Sequence, residues 1–114
     1  MITLSTLEQA TAQEVFTQVK DHLLKQNEKS RINGSCAYRG SKGLQCSAGC
    51  LMSDEEAKYV PEQNPWWMLL DLGFVETYKH TDLISRLQDI HDDERPEEWA
   101  ESLQRLAFDE GLNY

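Results

Sequence analysis

Residues 35–56 of the chain read SCAYRGSKGLQCSAGCLMSDEE and contain all of its cysteines. Apolar side chains alternate here with polar or small ones, and this period of two predicts a pair of strands with one buried face. Because residues opposite each other across two strands must share a face, the tightest register pairs Arg39 with Gly43 around a three-residue turn. That register places Cys36 opposite Cys46, and we expect both thiols to face inward without a disulfide.

Three amphipathic helices flank the predicted hairpin. The first begins at the capping box Thr11-Ala-Gln-Glu14 and extends to about Gln26. The second follows His80 or Thr81, and the third begins at Pro96 and ends near Gly111. The fold class predicted is α+β and mostly helical, with three main helices packed on a small antiparallel β-hairpin. The residues expected to share one core are Trp99, Leu103, Leu83, Leu87, Phe16 and Leu23.

Two shorter helices are predicted between the hairpin and the second main helix. Ser53-Asp-Glu-Glu56 is another capping box, so a short helix should follow Ser53. Pro65 suits the first turn of a helix that carries two tryptophans and stops at Gly73.

The length and composition predict a single domain over residues 1–114. The start of the sequence lacks the basic head and apolar run of a signal peptide, and no apolar stretch approaches the length of a membrane span. Three cysteines is an odd count, which without a secretory signal indicates reduced thiols. We therefore expect a cytoplasmic protein that does not bind a membrane.

The net charge of −9 is unevenly distributed along the chain. Residues 1–50 carry six Lys or Arg and four acids, whereas residues 51–114 carry five basic residues and sixteen acids. Such a field repels nucleic acid, so direct nucleic-acid binding is not expected. It attracts a basic surface, and we expect a protein partner that carries one.

Most of this charge is concentrated in a short stretch, which we call the acidic ridge. The helix dipole accounts for Glu97 and Glu98 at the start of the last helix, but not for the rest. Asp93, Glu97 and Glu101 are four residues apart, so one helix carrying them would align them in a row. The alternative interpretation of the stretch is a merely solvated face. The ridge, which is the predicted partner-binding site, consists of Asp89, Asp92, Asp93, Glu94, Glu97, Glu98 and Glu101.

The cysteines and histidines allow two other interpretations. A zinc site would use Cys36, Cys46 and Cys50 with a histidine, either His91 or one of His22 and His80. Structural zinc sites usually have two knuckles of closely spaced cysteines, and this chain has one loose knuckle and a lone cysteine. We therefore expect no metal and no other cofactor, and we expect the cysteines to be small buried hydrophobes.

An enzyme is the other possibility. Cys50 precedes the second capping box, where a helix N-terminus would favour its thiolate. His91 and Asp92 could then act as the base and its orienting carboxylate. These residue types occur in most proteins, and nothing in the spacing brings them together, so we predict no catalytic residue and no enzymatic activity.

Several segments resemble a group of short proteins encoded by tailed phages and bacterial prophages. The segments are FTQVKDHLLKQ, CAYRGSKGLQCSAGCL and LQDIHD followed by WAESLQRLA, within a match from Phe16 to Leu112. The group is similar in having Cys-x-Tyr-Arg, a Gly, Cys-Ala-x-Gly-Cys-Leu, and His-Asp before a final tryptophan helix. Ser47 stands where the group's pattern has alanine, a departure expected to affect packing alone.

The resemblance implies a small accessory protein of a phage or prophage that acts on a host or phage protein in the host cytoplasm. It implies no catalytic residue. Together with the charge, it leads us to expect a small acidic interaction protein without enzymatic activity. The zinc-binding protein described above is the alternative function.

Overall fold

The computed structural model describes all 114 residues of the chain. It is α+β and mostly helical, as predicted, with five α-helices and one two-stranded antiparallel sheet. None of its helices has the length and apolar character needed to cross a bilayer. In chain order the elements are α1 (Ala12–Gln26), β1 (Arg31–Ile32), β2 (Ser35–Cys36), α2 (Asp54–Tyr59), α3 (Trp66–Asp71), α4 (Thr81–Asp93) and α5 (Trp99–Asp109).

Helices α1, α4 and α5 pack against one another around a single hydrophobic core. All six of the predicted core residues belong to it, which confirms that prediction. Trp99 is the largest side chain that is fully buried, and its indole Nε1–H donates to the Glu94 carbonyl at 3.1 Å. The rows of apolar residues at helical spacing therefore determine which face of each main helix is buried.

Local sequence signals set most helix ends. Both predicted capping boxes are formed: the Thr11 hydroxyl accepts from the Glu14 N–H, and the Ser53 hydroxyl accepts from the Glu56 N–H, each at 3.1 Å. After α5, Gly111 has φ +67° and its N–H donates to Phe108, while Leu112 donates to Ala107. This pair of bonds is a Schellman motif, in which glycine takes the left-handed position.

The predicted hairpin register is wrong. Cys36 pairs with Arg31, and Ser35 with Ile32, so the strand partner precedes Cys36 in sequence instead of following it. The turn between the strands is Asn33-Gly34, with φ values of +53° and +81°. Positive φ at both central residues is the type I′ geometry that Asn-Gly favours and that matches the twist of a hairpin.

The alternation after Cys36 does not produce strands because residues of both parities are buried. Ala37 and Tyr38 are both buried, and so is every residue from 46 to 52. Residues 49–51 form a 3₁₀ turn, and the Cys50 N–H donates to the Cys46 carbonyl at 3.0 Å. A segment enclosed by the protein has no solvent face to preserve, so period two carries no information on its register.

Candidate functional site

A buried histidine near the C-terminal end of α4 is hydrogen-bonded to the chain segment that leads into β1. His91 is fully buried and its ring stacks on Trp99 with 5.6 Å between centroids. Its Nε2 accepts the backbone N–H of Ser30 at 3.0 Å. A ring nitrogen that accepts from an N–H carries no proton, so Nδ1 must carry it and donate to Asp92 Oδ1 at 2.8 Å. His91 thus connects two segments far apart in sequence, and does not merely complement its helix dipole.

Asp92 is the centre of this hydrogen-bond network. Its Oδ1 also accepts from Gln88 Nε2 at 2.7 Å, and the Cys36 thiol lies within 4.8 Å of the same carboxylate. Burial acts to raise the pKa of Asp92, but the hydrogen bonds that the carboxylate accepts outweigh this effect and hold its pKa below the usual value. Burial and the neighbouring Asp92 together raise the pKa of the Cys36 thiol, so Cys36 is not an activated nucleophile.

Cys36, His91 and Asp92 are the one group whose potential metal ligands lie within 4.8 Å of one another. The structure therefore brings together two of the residues of the alternative zinc site and leaves out Cys46 and Cys50. Binding a metal through His91 Nδ1 would move the ring proton to Nε2, where the Ser30 N–H already points. Two donors would then face each other, so the hydrogen bonds favour a structural role for this group.

Cys46 and Cys50 both lie in the buried segment 46–52, which contains the 3₁₀ turn over residues 49–51. Burial raises the pKa of each of these thiols to about 12. Cys46 Sγ accepts the Gly49 N–H at 3.3 Å, and the Cys50 thiol donates to the Ser47 carbonyl at 3.1 Å. The arrangement that the enzyme alternative requires is therefore incomplete: His91 and Asp92 are hydrogen-bonded to each other, but Cys50 is a buried neutral thiol.

The other two candidate zinc ligands, His22 and His80, also bind backbone. His22 Nε2 lies 2.9 Å from the Gln45 carbonyl, and His80 Nε2 lies 2.8 Å from the Ala10 carbonyl. Each ring nitrogen must donate to its carbonyl, so these side chains connect neighbouring segments. Burial lowers the pKa of His22, which keeps its ring neutral.

We expect Asp92→Asn to lower the free energy of unfolding by about 1–2 kcal/mol at neutral pH, because a charged acceptor of several hydrogen bonds is lost. The folded pKa of Asp92 lies below the unfolded value of about 3.9, so its contribution is present above that value. The contribution disappears as the pH falls through the folded pKa. Urea titrations of both proteins between neutral pH and pH 3 measure the difference.

The matched control is Asp93→Asn, which removes an exposed carboxylate that forms no ion pair on the same helix. It should change stability by less than about 0.5 kcal/mol. If the two variants were equally stable at neutral pH, the network around Asp92 would contribute nothing.

Some carboxylates of the acidic ridge form ion pairs with arginines, and others have no ion pair. Glu98 pairs with Arg95, and Glu101 pairs with Arg105, each at 3.2 Å. The basic residues of the N-terminal half do not neutralise the ridge, since Lys29 reaches only the backbone carbonyl of Asp92. The ridge carboxylates without an ion pair are Asp89, Asp93, Glu94 and Glu97, of which all but Glu94 are exposed.

The predicted single row of carboxylates is wrong. Asp93 is the last residue of α4, and extended backbone at Glu94 and Arg95 separates it from the 3₁₀ turn Pro96–Glu98 that precedes α5. The ridge therefore bends around a corner, because Pro96 starts a new helix after that extended link. A groove between α4 and α5 runs along this corner, lined partly by Asp89, Asp93 and Glu94.

A larger cleft of about 540 Å³ lies on the other side of Asp89. Its walls come from residues 35–38, the segment 63–67 and the outer face of α4, and Asp89 and Asp92 both line it. Trp66 lines the cleft too, and its buried Nε1–H has no hydrogen-bond partner. No Lys or Arg contributes to the walls.

Sequence reasoning missed three residues of this region. Ser47 is fully buried and donates to the Leu87 carbonyl at 2.8 Å, so its hydroxyl does more than the packing role expected of it. Gln88 accepts the Ala48 N–H at 2.8 Å, and Trp66 keeps a free N–H. The available signal for Ser47 was a polar residue in an otherwise apolar run, which must find an acceptor when buried.

The chain matches no protein-family model, no curated protein and no solved structure.

Proposed function

We propose that this chain is a small acidic interaction protein without enzymatic activity, whose ridge binds a basic surface on a partner protein. The observation that carries the proposal is the set of exposed carboxylates without an ion pair, at Asp89, Asp93 and Glu97. Partial burial raises the pKa of Asp89, and repulsion by Asp93, one helical turn away, raises it further. A basic partner would relieve the repulsion between these two carboxylates.

The cysteine and histidine chemistry supports this proposal over an enzyme. Two thiols are buried and neutral, and burial and the nearby Asp92 raise the pKa of the third, so none is available as an activated nucleophile. All three histidines are engaged with the protein's own backbone. On the resemblance to tailed-phage and prophage proteins, we further propose an accessory factor that acts on a host or phage protein in the host cytoplasm.

The test begins with capture of proteins from a bacterial lysate on the immobilised chain. We expect a retained protein to be basic and to be released progressively as salt is added, because ion pairs at an exposed surface are screened. Neutralising Asp89, Asp93 and Glu97 together should slow its association about tenfold at low salt and leave the fold intact. Surface plasmon resonance of the purified pair measures the rates.

The control variant neutralises Asp21, Glu28 and Glu76, which are equally exposed and have no ion pair, so the net charge changes by the same amount. It should keep the association rate within about twofold of the wild type. Equal slowing by both triple variants would indicate net charge alone, and no slowing by the ridge variant would contradict the proposal.

A further inference from the structure

The cleft beside the ridge combines three chemical features. Asp89 and Asp92 provide two carboxylates separated by one helical turn, Trp66 and Trp67 provide aromatic surface, and Trp66 provides an unused donor. Its volume of about 540 Å³ lies within the range of pockets that enclose a small ligand or one large side chain. The carboxylates in its walls carry negative charge, and no Lys or Arg in the walls balances this charge.

The two carboxylates differ in how they are held. Hydrogen bonds from His91 and Gln88 fix the orientation of Asp92, whereas Asp89 has no hydrogen bond or ion pair from the chain. Residues three apart on a helix have Cβ atoms about 5–6 Å apart, a distance that the planar fork of a guanidinium spans. Arginine also stacks its flat face on tryptophan, and Trp67 is 54% exposed at the same cleft.

The unpartnered indole adds an independent requirement. Trp66 is buried, with a relative exposure of 3%, and leaving a buried N–H without an acceptor destabilises the free chain. Tyr38 also lines the cleft, but its hydroxyl donates to the Asn64 carbonyl and is not within hydrogen-bonding geometry of the indole N–H. The Nε1 atom is covered from solvent in the free chain, so a ligand carbonyl reaches it only when the side chains over it move aside. A ligand that carries a carbonyl next to its cationic group would then satisfy the indole and the carboxylates together.

From this combination we infer that the cleft binds an arginine side chain of the partner protein, with the guanidinium on Asp89 and Asp92 and a neighbouring main-chain carbonyl on Trp66 Nε1–H. The inference rests on the proposed function and identifies the site at which one side chain of a basic partner is recognised specifically. The exposed ridge then supplies long-range attraction, whereas the cleft supplies the specific contact.

The probe is N-acetyl-arginine N-methylamide, which carries both the guanidinium and two carbonyls. We expect its titration to shift the NMR signal of the Trp66 indole N–H, assigned by its loss in Trp66→Phe. The citrulline analogue has the same shape without the charge and should leave the signal unmoved. Asp89→Asn should raise the dissociation constant about fivefold, the effect of one partly shielded ion pair.

Asp82→Asn is the matched control, because it removes one exposed carboxylate of the same helix that lies outside both this cleft and the ridge. It should change the dissociation constant by less than about twofold. The inference is overturned if the arginine compound leaves the indole signal unmoved at millimolar concentration, if citrulline binds equally, or if both variants weaken binding equally. Should a basic protein still bind through the ridge in any of those cases, the proposed function stands and only the cleft assignment is lost.

Discussion

Replacing Trp99 by alanine should lower the free energy of unfolding by about 3–5 kcal/mol, the usual cost of emptying a large buried aromatic site. Trp99 is fully buried where α4 and α5 meet, and it stacks on the His91 ring. Its removal also frees the Glu94 carbonyl that its indole N–H binds. Chemical denaturation followed by circular dichroism measures the change.

Trp67→Ala is the control for this prediction. Trp67 is 54% exposed on α3, so truncating it should cost less than about 1 kcal/mol. Because total stabilities are only about 5–15 kcal/mol, Trp99→Ala risks unfolding the chain outright. Trp99→Phe keeps most of the ring and provides a folded intermediate case, which should be less destabilised than the alanine variant. A loss below about 1 kcal/mol for Trp99→Ala would mean that this core is not the main source of stability.

Features encoded within a few residues were predictable from the sequence. The capping boxes at Thr11 and Ser53 each satisfy backbone donors with a side chain three residues away, so the pattern and the contact coincide. The stripes of apolar residues on α1, α4 and α5 likewise specify the buried face of each helix. In both cases helix geometry alone relates sequence spacing to spatial position.

Contacts between distant segments were not predictable in this way. His91 binds the N–H of Ser30, 61 residues earlier, and nothing local distinguishes it from a helix-terminal histidine on the surface. Glu56 makes one contact that the sequence predicts and others that it does not. Its capping role was evident, but its carboxylate also accepts the N–H groups of Leu4 and Ser5, more than 50 residues away.

The candidate site likewise has some features that the sequence predicts and others that depend on tertiary structure. The concentration of carboxylates from Asp89 to Glu101 was evident from composition. Which of them remain free depends on Arg95 and Arg105, and the corner at Pro96 depends on backbone geometry. The cleft depends on tertiary packing, since it needs Trp66 and Asp92 from separate elements, so no local pattern indicates it.

Gly49→Ala should be the other strongly destabilising substitution, at about 3 kcal/mol, the upper end of the usual cost of overfilling a packed site. A Cβ built on Gly49 would lie 2.3 Å from the Tyr38 carbonyl oxygen and 2.9 Å from the Tyr38 Cα. These are backbone atoms, so no side-chain rotation relieves the overlap. Gly49 is needed for the close approach of two chain segments, since its own φ is not positive.

The Tyr38 segment cannot move away at low cost because it is tied on both sides. The Glu62 carboxylate accepts the N–H groups of Tyr38 and Arg39 at 2.8 and 3.1 Å. The Arg39 guanidinium donates to the carbonyls of Gly49 and Met52 at 2.7 and 2.9 Å. Moving Tyr38 far enough to admit a methyl group would strain or break several of these bonds, some of them to charged groups.

Gly34→Ala is the comparison that isolates the overlap. The same added Cβ at Gly34 meets no atom within 4 Å, and the cost there comes only from φ +81°, which should amount to about 1 kcal/mol. Urea denaturation of both variants should therefore rank Gly49→Ala well below Gly34→Ala in stability. Equal losses would mean that the segments carrying Tyr38 and Gly49 separate easily. In that case, the buried segment 46–52 would not be held as rigidly as the hydrogen bonds of Ser47 and Ala48 to α4 indicate.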